Sequence, residues 1–121
     1  MLLPASPPFH SSLLRPAAER LATRLAQVEI RAPSIPVIHN VDVAEHRTPD
    51  AIRAALAKQA ASPVRWTETV RAIAARGVTD VIEAGPGRVL AGLARKIEPS
   101  LKVHALTDGH ALGDAKAALA T

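Results

Sequence analysis

Cysteine and tyrosine are absent from this chain, and tryptophan, phenylalanine and methionine occur once each, as Trp66, Phe9 and Met1. The lack of cysteine excludes disulfides, thiolate metal sites and a cysteine nucleophile. With so few rings there is little to stack on bases, so a net charge of +4 and a pI near 10.3 do not argue for nucleic acid. The arginines instead alternate with Glu and Asp along the predicted helices, which suits a basic face for an acidic protein partner. No run reaches the ~18 apolar residues of a membrane span. Met1-Leu2-Leu3-Pro4 has neither the basic start nor the long apolar stretch of a secretory signal. A disulfide-free chain with these features is expected in the cytoplasm.

What is present is largely aliphatic. Apolar residues make up 48 % of the 121, but much of that is alanine, which contributes little area. The core must come from Leu, Ile and Val, each worth about 1.5–3 kcal/mol when fully buried. The length suits one small domain, and so thin a core is expected to pack on something else.

Proline and glycine punctuate the chain. Residues 1–9 read as an extended approach. Leu14, Ala18, Leu21, Leu25 and Val28 fall at helical spacing, with Pro16 tolerated in the first turns. Pro33 and Pro36 bracket a short apolar strand over 35–41. Thr48-Pro49-Asp50 signals a helix start, with a hydroxyl cap, proline at the first position and an acid at the positive end. Ser62-Pro63 repeats the signal and predicts a helix with Trp66, Val70 and Ile73 on one face, stopping at Gly77. A strand over 78–84 turns through Gly85-Pro86-Gly87 into a helix whose apolar side is Leu90, Leu93 and Ile97. A third strand over 101–106 and a helix over 110–120 complete the chain. Helices alternating with short strands predict an α/β class with a mostly parallel sheet, and three strands suggest part of a larger one.

Few residues offer chemistry. His10 ends the proline-rich approach immediately before a helix, where an imidazole can point into a cleft as a general base or simply pack on the helix. His39, His46, His104 and His110 show no metal-ligand spacing. Gly85-Pro86-Gly87 is either a phosphate-cradling turn or a tight turn without a ligand. Glu83 before it is either a catalytic carboxylate or a structural acid. No serine lies in a G-x-S-x-G elbow.

Four segments, taken in order, resemble the malonyl-CoA:acyl-carrier-protein transacylases and related acyltransferase domains of polyketide synthases. Pro8-Phe9-His10-Ser11-Ser12-Leu13-Leu14 resembles the segment with the family's catalytic histidine. Ile35-Pro36-Val37-Ile38-His39-Asn40-Val41-Asp42 resembles its following strand. Gln59-Ala60-Ala61-Ser62-Pro63-Val64-Arg65-Trp66 resembles its glutamine-to-tryptophan stretch, and Glu83 to Leu93 its GPG turn and helix. His39 stands where the family usually has Asn, and Ala60-Ala61 replaces bulkier residues.

The resemblance implies that residues 1–121 are the C-terminal portion of a single acyltransferase domain, from the α/β-hydrolase-like large subdomain. The ferredoxin-like small subdomain would lie outside them, and Met1-Leu2-Leu3-Pro4 resembles mid-chain sequence. It implies ping-pong transfer of malonyl from malonyl-CoA to the phosphopantetheine thiol of acyl carrier protein, with no bound cofactor. His10 would be the base, the backbone carbonyl of Gln59 would orient it, and Phe9 would favour malonyl over a branched acyl group. The serine nucleophile is not in this chain, so the isolated chain is expected to be inactive. The alternative is a non-catalytic remnant that binds acyl carrier protein or a partner chain.

Overall fold

The structure is a computed structural model, described here over residues 8–120. Most of the approach read over residues 1–9, and the Met1-Leu2-Leu3-Pro4 start, lie outside the described residues. The chain divides into two compact units, Met1–Thr69 and Val70–Thr121.

The first unit opens with a single 3-10 turn, Ser12–Leu14, which runs into α1 (Arg15–Leu25). Ser11 donates its hydroxyl to the Pro8 carbonyl at 2.7 Å, and the Leu14 amide closes the turn on the Ser11 carbonyl. Pro16 sits in the first turn of α1, where its missing N–H costs nothing. Two very short strands, β1 (Ile38–His39) and β2 (Ala44–Glu45), pair antiparallel. The strand predicted over 35–41 is therefore two residues long and belongs to a hairpin. Pro36 has no N–H for a ladder, and β2 left no apolar alternation in the sequence. The hairpin loop holds Val43 at φ 59°, a costly conformation for a β-branched residue. Its amide closes on the His39 carbonyl at 2.8 Å.

Helix α2 (Pro49–Ala60) begins where Thr48 predicts it, and the Thr48 hydroxyl accepts the Ala51 amide. Helix α3 (Trp66–Ala75) starts later than Ser62-Pro63 suggests. Proline disfavours helical geometry at the residue before it, and the Arg65 amide is committed to the Asn40 carbonyl at 2.9 Å. Gly77, at φ 80°, ends that helical run in the left-handed conformation glycine accommodates.

In the second unit, β3 (Asp80–Glu83) and β4 (Lys102–Ala105) pair in parallel, with Val81 opposite Val103. Helix α4 (Val89–Ile97) crosses between them and α5 (Gly109–Leu119) follows, capped by the Asp108 carboxylate on the Ala111 amide. Strands with flanking helices are the α/β arrangement expected. The packing of α4 differs from expectation. Ala91 and Ala94 face inward, while Val89, Leu90 and Leu93 remain 72 %, 43 % and 42 % exposed. Small alanines let a helix sit close on a sheet, so the leucine side is left without cover from this unit.

Candidate active site around His10

His10 is the last residue of the turn leading into the first helix, at φ 56°. Histidine visits this region more readily than most residues, and here the twist aims the ring across to α2. Its Nδ1 lies 3.1 Å from the Gln59 carbonyl oxygen. A carbonyl can only accept, so Nδ1 carries the proton and donates it, and Nε2 of the neutral ring keeps its lone pair. The imidazole is exposed, leaving Nε2 open to a reacting group.

Gln59 suits this task because of where it sits. It is in the last turn of α2, where helix carbonyls lack intrahelical partners and the helix dipole presents its negative end. Its carbonyl also takes the Ser62 amide at 3.4 Å. Such a carbonyl orients the ring without adding a full negative charge. Beside His10, the Phe9 ring is 64 % exposed.

The remaining candidates fall elsewhere. Glu83 accepts the Leu90 and Ala91 amides at 3.2 and 2.8 Å. These are free N–H groups in the first turn of α4, so a carboxylate from the chain itself occupies the place a phosphate would take. The phosphate-cradle reading of Gly85-Pro86-Gly87 and the catalytic reading of Glu83 both give way to a structural cap. Gly87, at φ 115°, makes the turn possible.

His39 is buried, with its ring 5.1 Å from that of His46. His46 Nε2 meets Asp42 Oδ2 at 2.8 Å. Partial burial pushes the Asp42 carboxyl upward, but the His46 hydrogen bond and charge outweigh it and hold Asp42 below its ordinary range. Arg65 donates to the Asp42 carbonyl and pairs with both Glu68 oxygens, which holds Glu68 below the usual carboxylate range. His104 lies within β4 and meets Asp80 at 3.2 Å. The Thr79 hydroxyl and then His104 hold Asp80 low. His110 faces Asp114 at 3.5 Å on α5. Among the described residues, no three His, Asp or Glu side chains cluster to hold a metal, and no helix is long and apolar enough to cross a membrane.

Sequence reading missed Arg53. Its Nε donates to the Leu25 carbonyl and its terminal nitrogens to the Val28 carbonyl and the Asp50 carboxylate. The only signal for it was an arginine on an amphipathic helix.

No protein-family model matches the chain. Over 113 residues it is 45 % identical to the malonyl CoA-acyl carrier protein transacylase of Escherichia coli, covering 93 % of this chain and 37 % of the relative. The crystal structure of an acyl-carrier-protein S-malonyltransferase from Burkholderia pseudomallei matches with a TM-score of 0.90 at 51 % identity, over 95 % of this chain and 38 % of that one. A malonyl-transacylase solved in complex with a type II PKS acyl-carrier protein matches with a TM-score of 0.89 at 45 % identity, over 93 % of this chain and 37 % of that one. The chain thus spans little more than a third of the length of these relatives. In sequence and in fold it is homologous, over nearly its whole length, to part of the malonyl CoA-acyl carrier protein transacylases.

Proposed function

We propose that this chain carries the histidine base of a malonyl-CoA:acyl-carrier-protein transacylase, as the C-terminal portion of a single acyltransferase domain in the cytoplasm. The serine it serves would come from outside the 121 residues, since none of its own serines lies in a nucleophile elbow. The observation that carries this reading is the bond from His10 Nδ1 to the Gln59 carbonyl. It leaves Nε2 as an exposed acceptor of fixed direction, which a general base requires.

In the proposed cycle, His10 Nε2 takes the serine proton as the hydroxyl oxygen attacks the malonyl thioester carbonyl. The tetrahedral adduct collapses, and the departing CoA sulfur leaves with the proton from Nε2. The phosphopantetheine thiol of acyl carrier protein then yields its proton to Nε2 and attacks the malonyl-serine ester. The serine leaves reprotonated, and malonyl rides on the carrier. The cycle uses no resident cofactor. The exposed Phe9 ring beside His10 would fill the space a branched acyl group needs. By itself the chain would transfer nothing.

A second reading, a non-catalytic module that binds acyl carrier protein or a partner chain, is favoured by the uncovered Val89, Leu90 and Leu93 side of α4. The first reading is tested by incubating the isolated chain with malonyl-CoA and recording its intact mass. No malonyl adduct is expected, and a covalent adduct lost in His10→Ala would contradict a nucleophile outside the chain.

A further inference from the structure

Helices α1 and α2 touch along their lengths, yet no residue of α1 is fully buried and α2 buries only Ala55. Apolar packing this shallow does not fix the register of one helix on the other, because small shifts change little buried area. Directed polar bonds must therefore fix it. They occur at both ends of the pair. At one end His10, just before α1, meets the Gln59 carbonyl in the last turn of α2. At the other end Arg53 of α2 donates to the Leu25 carbonyl and, just beyond α1, to the Val28 carbonyl, both at 2.9 Å.

Geometry makes the second end matter to the first. Arg53 and Gln59 lie on one rigid helix, about 9 Å apart along its axis. A slide or tilt of α2 at Arg53 is therefore carried to the Gln59 carbonyl, where a hydrogen bond weakens steeply with misalignment. The guanidinium suits the clamp because its planar fork sends separate N–H groups to separate acceptors. The Asp50 carboxylate, 3.0 Å from it, holds the fork in orientation. Those two carbonyls lie at and just beyond the end of α1, and the Leu25 carbonyl also accepts the Val28 amide at 3.1 Å.

We infer that Arg53 is a positioning residue for His10: by clamping α2 to the end of α1 it sets the Gln59 carbonyl where it selects the Nδ1–H tautomer. The inference rests on the proposed catalytic role of His10 for its use, but its test needs no turnover. Protein of natural length, carrying nitrogen-15 labelled histidine and assigned with His10→Ala, reports the tautomer by long-range nitrogen–proton correlation. The unaltered protein should show Nδ1–H on His10. Arg53→Ala should shift His10 towards the mixed tautomers of a free imidazole, with helix content by circular dichroism unchanged. Should Arg53→Ala fail to fold, Arg53→Lys carries the same test, since an ammonium keeps the charge but not the fork. Retention of the Nδ1–H tautomer in the folded variant would overturn the inference. A natural-length enzyme that lost its Nδ1–H tautomer with Arg53, yet transferred malonyl equally well with or without His10, would keep the clamp and overturn the catalytic reading instead.

Discussion

His10 and Gln59 stand 49 residues apart in the chain and meet at 3.1 Å, side-chain Nδ1 to backbone oxygen. The partner is a main-chain atom, so the contact constrains where α2 ends rather than which side chain occupies position 59. In a transacylase carrying this chain, Gln59→Ala should leave malonyl transfer within about threefold, since an uninvolved side chain changes free energies by roughly 0.5 kcal/mol. A steady-state rate measurement decides it. A loss of several orders of magnitude would mean that the amide side chain takes part.

Helix α4 should govern how the isolated chain behaves. Its Val89, Leu90 and Leu93 side is uncovered by its own unit, and such apolar patches drive association. Replacing Leu90 and Leu93 together with lysine should reduce self-association in sedimentation experiments without changing helix content. Unchanged association would show that this side is not the sticky one.

The pair formed by Asp42 and His46 makes a pH prediction. The folded chain keeps Asp42 ionised below its ordinary value of 3.8, so the unfolded chain binds the proton more readily as pH falls. The stability contributed by this carboxylate is therefore complete above that value and is lost as pH drops through the depressed one. Asp42→Asn should be less stable than the unaltered chain at neutral pH, and the difference should shrink below pH 3.8. Urea titrations at neutral and acidic pH measure it. A difference that grows in acid would have the wrong sign.

Thr48 offers a local test of α2, the helix that carries Gln59. Its hydroxyl accepts the Ala51 amide at 3.3 Å, and removing such a cap costs about 1 kcal/mol. Thr48→Ala should lower the urea midpoint accordingly, and no change would mean that α2 is held by its contacts alone.

Much of this was legible in the sequence because local chemistry decided it. The Thr48-Pro49-Asp50 start of α2, the stop at Gly77 and the Gly85-Pro86-Gly87 turn each rest on residues adjacent in the chain. What was not legible depended on distant partners. Helix α3 begins only at Trp66, and the Arg65 amide before it meets the Asn40 carbonyl, 25 residues earlier. Periodicity found the apolar Leu90 and Leu93 side of α4, whereas the residues α4 buries are Ala91 and Ala94. Strand β2 is too short to leave a pattern. At the candidate site, His10 stood out by position and Gln59 by resemblance, while Arg53 acts through backbone carbonyls that no side-chain pattern reveals.

The central claim is that His10 serves as base for a serine supplied from outside these residues. The most direct measurement replaces the matching segment of the Escherichia coli transacylase, 45 % identical over 113 residues, with this chain. Transfer of malonyl from CoA to acyl carrier protein is then followed with and without His10→Ala. The account predicts an active chimera whose rate falls by about 10²–10⁴ in the variant. A folded, active chimera indifferent to His10→Ala would contradict it.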